Sequence, residues 1–321
     1  MILRSRVSSR RKVNKTIIRF LLITLGWVFL IPQISADPVE THNIKFIRDI
    51  MGGDAGPLSL PSDVAVNKKN VYIVDGGNHR VVVFDHQGKY LFTVGSEGER
   101  NGQFRSPVGI DVGEDGRIYV ADKDNHRIQI FSKDGKYLKS FQIKSEGELA
   151  RPVDVAVGTE ADEIYVTGNN NHKVMVFSEK GQLKREWGGS GQESGDFRYP
   201  GTIAFLQDAR VAVVDILNTR IQIFEQSGEF SIEVGEWGVL PGQLFRPKGV
   251  AIDSKGNLYV SDSYMNVIQV FSDTGRFVHL LKISEKTRTM ETPAGIAVSN
   301  DQRLYVAEML QNKISVFGLG P

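Results

Sequence analysis

The stretch from Asp75 to Phe84 reads Asp-Gly-Gly-Asn-His-Arg-Val-Val-Val-Phe, and a close copy, Asp-Lys-Asp-Asn-His-Arg-Ile-Gln-Ile-Phe, occupies residues 122–131. Each copy joins a polar bend to a run rich in β-branched residues, which is typical of a β-strand that leaves a tight turn. Related copies end at phenylalanines 46 or 47 residues apart, namely Phe84, Phe131, Phe177, Phe224, Phe271 and Phe317. A period held over six copies indicates a repeat architecture.

A proline precedes each repeat in step with these phenylalanines, at Pro61, Pro107, Pro152, Pro200, Pro247 and Pro293. Three short apolar runs separated by turns follow each proline, and in the first five repeats a glycine then turns the chain into a fourth run. Four short antiparallel strands per repeat are the pattern of one propeller blade. The sequence therefore predicts an all-β, six-bladed β-propeller of four-stranded antiparallel blades.

The two ends of the repeat region predict how the ring closes. The sixth repeat ends at Phe317 and Gly318 and lacks a fourth strand, whereas an unassigned strand-like run, residues 44–50, precedes the first repeat. We expect this N-terminal run to pair into the last blade as its outer strand, because an open array would leave a blade interface exposed. A single propeller domain then occupies residues 37–321.

The repeat resembles the NHL repeat, most closely at residues 75–81 and 122–128 and more loosely at 168–174 and 215–221. The resemblance covers essentially all of the chain after residue 36, and it implies the same six-bladed fold. Blades 5 and 6 depart from the motif. The resemblance is specific for fold and says little about activity, because one fold supports many functions.

Two kinds of residue in the motif suggest structural roles. The acid and the arginine are spaced to form an ion pair across the bend, at Asp75/Arg80, Asp122/Arg127 and Asp215/Arg220. Blade 3 has Gly168 in place of the acid and blade 5 has Val267 in place of the arginine, so we expect these two pairs to be missing. His79, His126 and His172 share one position in neighbouring blades, and we expect them to be structural because equivalent positions do not converge on a metal.

Residues 1–36 differ from the rest of the chain, with seven cations and no acid. An apolar run from Phe20 to Ile31 and a possible cleavage site at residues 34–36 predict a signal peptide. The alternative is an uncleaved anchor over residues 16–34, which would be the chain's only contact with a membrane. Either reading places residues 37–321 outside the cytoplasm, in a periplasmic or secreted location.

Composition excludes several functions. The 321 residues contain no cysteine, which excludes disulfides and thiolate chemistry. The 39 Lys and Arg nearly balance the 38 Asp and Glu, but 32 cations face 38 acids once residues 1–36 are set aside. We expect no nucleic-acid binding, because phosphate recognition needs a basic surface.

Some enzymes share the six-bladed architecture, so the alternative prediction is an enzyme with its site in the central channel. Peptidylglycine α-amidating lyase and the gluconolactonase-like hydrolases share the architecture, and the lyase pattern needs histidines directly after the blade proline, where this chain has none. The carboxylates at these positions are Asp63 and Asp154. The alternative to a role in a metal site is that they belong to polar turns at the strand starts. Asp111 occupies a position that is alanine in the other five blades, and we expect it to have a hydrogen-bonding partner or a channel water. These three are axial-channel candidates for a divalent cation such as Ca²⁺; otherwise we expect no cofactor, no metal and no catalytic residue.

One face of the ring is predicted to be uneven. The bends of blades 4–6 and the loop between blades 4 and 5 are apolar where blades 1–3 are polar. We call the apolar set the crescent: Ile216, Leu217, Trp237, Val239, Leu240, Tyr264, Met265, Met309 and Leu310. We expect the crescent either to dock a protein or other envelope component or to fold over the channel as a plug. The predicted function is an exported, non-catalytic scaffold, and the alternative is a metal-assisted hydrolase or lyase with an axial site.

Overall fold

The computed structural model describes residues 39–158, 163–285 and 287–320, which form an all-β structure. The segment predicted as a signal peptide or anchor, residues 1–36, lies outside the described residues. Within them, no helix is long and apolar enough to cross a membrane.

The strands fall into six blades, preceded by β1 (Thr41–Ile50). Blade 1 contains β2 (Pro61–Val66), β3 (Asn70–Asp75), β4 (Arg80–Asp85) and β5 (Tyr90–Val94). Blade 2 contains β6 (Pro107–Val112), β7 (Ile118–Asp122), β8 (Arg127–Phe131) and β9 (Tyr137–Gln142), and the short hairpin β10 (Lys144–Ser145) and β11 (Glu148–Leu149) follows it. Blade 3 contains β12 (Pro152–Val157), β13 (Glu163–Gly168), β14 (Lys173–Ser178) and β15 (Leu183–Gly188).

The second half of the ring repeats this order. Blade 4 contains β16 (Pro200–Phe205), β17 (Val211–Asp215), β18 (Arg220–Phe224) and β19 (Phe230–Val234). Blade 5 contains β20 (Pro247–Ile252), β21 (Leu258–Asp262), β22 (Val267–Phe271) and β23 (Phe277–Ile283). Blade 6 contains β24 (Pro293–Val298), β25 (Arg303–Glu308) and β26 (Lys313–Gly318). Single-turn 3-10 helices lie at Gly53–Ala55, Gly76–Asn78, Lys123–Asn125, Ile216–Asn218 and Met309–Gln311.

The N-terminal strand completes blade 6. The second half of β1 pairs antiparallel with β26, from Lys45 opposite Gly318 to Ile50 opposite Ile314, as the sequence predicts. The first half of β1 also pairs parallel with β23 of blade 5, over residues 41–44 and 280–283. Blades 5 and 6 therefore share one eight-stranded sheet, a connection that the sequence analysis does not anticipate.

Apolar side chains between neighbouring blades form the core. The described residues contain six buried clusters, and each joins two adjacent blades. The cluster between the last and first blades includes Ile73 of β3 and Ile314 of β26. The repeat phenylalanines, from Phe84 to Phe317, are buried in these clusters. The ring is thus closed by packing as well as by strand pairing.

The blade prolines set the two faces of the ring. Each is the first residue of an inner strand, where the missing N–H costs no ladder hydrogen bond, and each lies opposite the last residue of the second strand, as Pro61 lies opposite Asp75. The connections between blades and the bends between second and third strands therefore share one face, which we call the upper face. The remaining turns lie on the lower face, and the inner strands line the central channel.

The predicted ion pairs are present. Arg80 Nε lies 2.7 Å from Asp75 Oδ2, and the equivalent distances are 2.7 Å in blade 2 and 3.0 Å in blade 4. Blades 3 and 5 lack the pair, as expected. In blade 3, Lys173 instead contacts Glu186 on the neighbouring strand at 2.7 Å.

The motif histidines have the expected structural role. The Nδ1 atoms of His79 and His172 each accept a hydrogen bond at 3.1 Å from a backbone N–H at the start of the next blade. His126 contacts the backbone carbonyl of Ala150 at 3.1 Å. All three residues have positive φ, and each ties a bend to the adjacent blade.

Candidate functional site

Three of the loops between blades share one backbone design. We call them loop 1–2 (residues 94–107), loop 3–4 (residues 187–200) and loop 4–5 (residues 234–247). Each contains the same parallel bridge, which pairs Glu97 with Phe104, Ser190 with Phe197 and Trp237 with Leu244. A glycine N–H donates to the carbonyl of the bridge partner in all three, at 3.0, 3.2 and 3.0 Å.

The side chains on this shared backbone differ sharply. Where loop 1–2 has exposed Glu97, Glu99 and Arg100, loop 4–5 has Trp237, Val239 and Leu240, and loop 3–4 has Ser190, Gln192 and Glu193. Trp237 is 71% exposed, Val239 63% and Leu240 64%. The same loop therefore folds with polar side chains in two copies, so the apolar residues of loop 4–5 are not needed for its fold.

An aromatic stack links this loop to the next bend. The rings of Phe245 and Tyr264 stack with centroids 4.2 Å apart, and Trp237 lies 6.4 Å from Phe245. Phe245 is a residue that the sequence analysis missed. Its equivalents are Arg105, which pairs with Glu99 at 2.6 Å, and Arg198. Aligning the three loops residue by residue would have identified it.

The bend of blade 5 presents Tyr264 outward. Without the motif arginine, the buried carboxylate of Asp262 accepts hydrogen bonds from the backbone N–H groups of Tyr264 and Met265, at 3.1 and 3.0 Å. Tyr264 is 59% exposed. The hydrogen bonds from the bend to Asp262 therefore fix a backbone conformation in which the Tyr264 side chain is exposed.

The crescent divides between surface and channel mouth. Six of its nine residues are exposed, namely Leu217, Trp237, Val239, Leu240, Tyr264 and Leu310. Ile216, Met265 and Met309 are partly buried, and Ile216 and Met309 line the channel mouth. The structure thus places a small part of the crescent at the channel mouth and leaves the larger part exposed.

The axial carboxylates bridge neighbouring inner strands. Asp63 accepts from the N–H of Ile110 in the next blade at 3.0 Å, and Asp154 accepts from Ile203 N–H at 2.9 Å. Asp111 accepts from Val157 N–H at 2.8 Å, which is the partner that the sequence analysis expects for it. Asp63 and Asp154 lie within β2 and β12, each beside an irregularity in strand register, and not in turns. The three carboxylates thus connect blades 1 to 4 in sequence.

Close backbone approach accompanies these bridges. A Cβ on Gly109 would lie 2.2 Å from Asp154 Oδ1, and a Cβ on Gly295 would lie 2.1 Å from Asp63 Oδ1. Only glycine leaves room for each carboxylate. The carboxylate of one blade and the glycine of its neighbour therefore form a fitted pair around the axis.

Burial controls the charge of these groups. It raises the pKa of Asp63 to about 7, against two backbone N–H donors that lower it, and the charge of Asp111 raises it further. Burial also raises the pKa of Asp154, and the negative charges of Asp63 and Asp111 add to this effect. The pKa of Asp111 is raised by burial as well. The protonated forms of these three carboxyl groups are therefore favoured in the folded propeller.

Replacing Asp63 with Asn should stabilise the protein at pH 8 and have little effect at pH 4.5. The folded carboxyl keeps its proton up to about pH 7, whereas the unfolded one loses it near pH 4. Stability from this group is therefore present at low pH and lost as pH rises between these values. We expect a gain of at least about 1 kcal/mol at pH 8, measured by urea unfolding at both pH values.

An exposed acid supplies the control for this experiment. Asp134→Asn should change the free energy of unfolding by less than about 0.5 kcal/mol at either pH. Greater destabilisation of Asp63→Asn at pH 8 than at pH 4.5 would contradict the account, because that result indicates a carboxylate that must be charged for folding, as when it holds a resident metal ion.

No cluster of three or more His, Asp or Glu side chains with the arrangement of a metal site occurs within residues 39–158, 163–285 and 287–320. Asp63 and Asp154 each use one oxygen on a backbone N–H of the next blade, and Asp111 uses both of its oxygens on backbone N–H groups. A Ca²⁺ ion takes six to eight oxygen ligands. The described side chains alone therefore do not form a complete calcium site.

Family models match two parts of the chain. A model of the NHL repeat matches residues 58–84 and 104–131. A model described as a 6-bladed beta-propeller matches residues 190–295, a range that contains loop 4–5. Among curated proteins, the brain tumor protein of Drosophila melanogaster is 38% identical over 58 residues, which is 18% of this chain and 6% of that protein. The chain thus matches only a small part of that relative's length.

Solved structures share the architecture at low identity. A streptogramin B lyase structure aligns with a TM-score of 0.64 and 14% identity, over 85% of this chain and 97% of that chain. A gluconolactonase from Xanthomonas campestris aligns with a TM-score of 0.61 and 16% identity, over 88% of this chain and 96% of that chain. At these identities the likeness shows the fold alone.

Proposed function

Because the chain is a six-bladed β-propeller that carries NHL repeats, we propose that it is an exported, non-catalytic binding protein that docks a protein partner on the upper face of blades 4–6. Its location would be periplasmic or secreted, as the basic and apolar pattern of residues 1–36 suggests.

One observation carries the proposal. Loops 1–2, 3–4 and 4–5 have the same bridge and the same backbone hydrogen bonds, yet only loop 4–5 exposes a tryptophan, a valine and a leucine. Since folding does not require these residues, their exposure has to be explained by something outside the chain. Contiguous exposed apolar patches mark binding surfaces.

The composition of the surface suits a protein partner. Trp and Tyr are the residues that most often dominate interface energetics. Burying three of the exposed crescent side chains would contribute on the order of 5–8 kcal/mol before the cost of association is subtracted. These side chains would therefore supply a large share of the binding free energy of a complex.

The rim of the crescent also favours a protein over a lipid surface. The loops between blades on the same face carry the exposed residues Arg198, Glu236, Arg246 and Glu291, so both charge signs are represented. Anionic membranes select clusters of lysine and arginine, whereas protein interfaces combine an apolar centre with a mixed polar rim.

A photo-crosslinking amino acid placed at Leu310 tests the proposal. Leu310 is 63% exposed in the crescent, and Leu183, on the outer strand of blade 3, is a control at 42% exposure. We expect irradiation of cells to give one discrete protein adduct from position 310 and none from position 183. Adducts of twice the chain mass would instead indicate a second copy, and equal labelling at both positions would reject a specific docking surface.

The metal-assisted hydrolase or lyase remains the second candidate, since fold neighbours include a lyase and a gluconolactonase. It requires Asp63, Asp111 and Asp154 to act at the axis, although the backbone bridges already give these residues a structural role. Stoichiometric metal in protein purified without chelator would favour the enzyme.

A further inference from the structure

A small vestibule lies at the upper mouth of the channel, where the inner strands begin. Its volume is about 120 Å³, or roughly four times the volume per molecule in liquid water. Its lining comes from the residues directly after the blade prolines, with Ile216 and Met309 of the crescent above them. The crescent residues thus open directly onto this cavity.

Apart from Lys248, the polar side chains that line the vestibule offer acceptors. Asp154 is 3% exposed, and its Oδ1 atom has no hydrogen-bond partner among the described residues. Ser62 and Thr202 donate their hydroxyl protons to backbone carbonyls of the next blade, those of Val108 and Lys248. Their oxygen lone pairs are left to accept. A ligand here has to bring donors.

The walls of the vestibule are largely apolar. Val108, Val153, Ile216 and Met309 line it, so the cavity combines hydrocarbon walls with carboxylates. A divalent ion fits such walls poorly, because hydrocarbon side chains supply none of the six or more oxygen ligands that it needs. An alkyl chain that ends in a cation matches both features.

The charge of the site is unbalanced. The charges of Asp63 and Asp111 raise the pKa of Asp154, and the charge of Asp111 raises the pKa of Asp63. Among the described residues, no ion pair involves Asp63 or Asp154. Lys248 lies at the rim, where burial lowers its pKa and the charge of Arg246 lowers it further. A cation delivered beside these two carboxyl groups would favour their ionised forms.

We propose that the vestibule binds a primary alkylammonium group, with the alkyl chain between Val108, Val153, Ile216 and Met309 and the ammonium at Asp154 and Asp63. Two sources share this chemistry. One is a lysine side chain of the protein docked on the crescent, which rests on the proposed function. The other is a free amine.

Titration with n-butylammonium chloride at pH 8, followed by calorimetry, tests the site. The probe is charged at this pH, since alkyl amines titrate near pH 10.4. We expect one site with a millimolar dissociation constant. Asp154→Asn should weaken binding at least 10-fold, whereas Asp111→Asn, which lines the lower cavity and not the vestibule, should change it less than 3-fold.

Two further arms complete the test. n-Butanol should bind at least 10-fold more weakly, because it carries no charge. If Asp154→Asn does not fold, Asp63→Asn replaces it, with the same expected loss. Absence of binding at 50 mM, equal binding of the alcohol, or an unchanged constant in both variants would overturn the proposal. One tightly bound Ca²⁺ that blocks the probe would do so as well.

The crosslinking experiment at position 310 then identifies the source of the amine. Loss of the protein adduct in the presence of saturating n-butylammonium assigns the group to a lysine of the partner, and an unchanged adduct assigns it to a free amine. An unchanged adduct together with no probe binding overturns the vestibule alone and leaves the docking surface standing.

Discussion

Replacing Asp122 with Ala should lower the free energy of unfolding by about 3–5 kcal/mol, which is typical when one member of a buried ion pair is removed. The Asp122 carboxylate is fully buried and accepts four hydrogen bonds, from Arg105 N at 2.7 Å, Asn125 Nδ2 at 2.8 Å, Arg127 Nε at 2.7 Å and Gln129 Nε2 at 3.0 Å. The substitution leaves these four donors, one of which belongs to the Arg127 guanidinium, without this acceptor. Urea unfolding at pH 7 measures the loss.

The matched control is Asp134→Ala, which removes an exposed acid from the same blade and should cost less than about 0.5 kcal/mol. A loss below about 1 kcal/mol for Asp122→Ala would show that the bend does not depend on the ion pair. The natural absence of the acid in blade 3 does not predict that outcome, because Lys173 there has Glu186 as a replacement partner.

The repeat made most of the fold predictable. Each regularly spaced proline marks the start of an inner strand. Each regularly spaced phenylalanine marks a buried site between two blades. The last repeat lacks a fourth strand, so its third strand needed a neighbour from elsewhere in the chain. The run before the first repeat was the one strand-like segment that the sequence analysis had not assigned to a blade. The pairing of β1 with β26 confirmed that inference.

The parallel pairing of β1 with β23 was not predictable in the same way. Strand periodicity reports which face of a strand is buried, and it carries no information about which edge a strand joins. The ten residues of β1 are long enough to serve two partners. Only the arrangement of blades 5 and 6 in space decides that they do.

The residues of the candidate site were predictable from the sequence, but their exposure to solvent was not. The sequence identified the nine crescent residues but left open whether they face solvent or fill the channel. The structure divides them, with Trp237 exposed and Met309 at the channel mouth. For Asp63 and Asp154, the sequence showed two carboxylates after the prolines, but their backbone partners lie in the next blade and 47 or 49 residues away.

Grafting the polar residues of loop 1–2 onto loop 4–5 should weaken partner binding at least 100-fold, or about 2.7 kcal/mol. The graft consists of Trp237→Glu, Val239→Glu, Leu240→Arg and Phe245→Arg. It should preserve the fold, because the same residues occupy the same backbone in loop 1–2, including an Arg105–Glu99 pair at 2.6 Å. Losing the apolar anchors removes the largest contributions to the interface.

The dissociation constant of the purified partner for this graft tests the central claim most directly. The control exchanges two polar loops, with Glu97→Ser, Glu99→Gln and Arg100→Glu, which are the residues of loop 3–4. We predict at least 100-fold weaker binding for the graft and less than 3-fold change for the control, with both variants melting within a few degrees of the unmodified protein. Equal affinities for the graft and the unmodified protein would contradict the claim that this propeller binds through the upper face of blades 4–6.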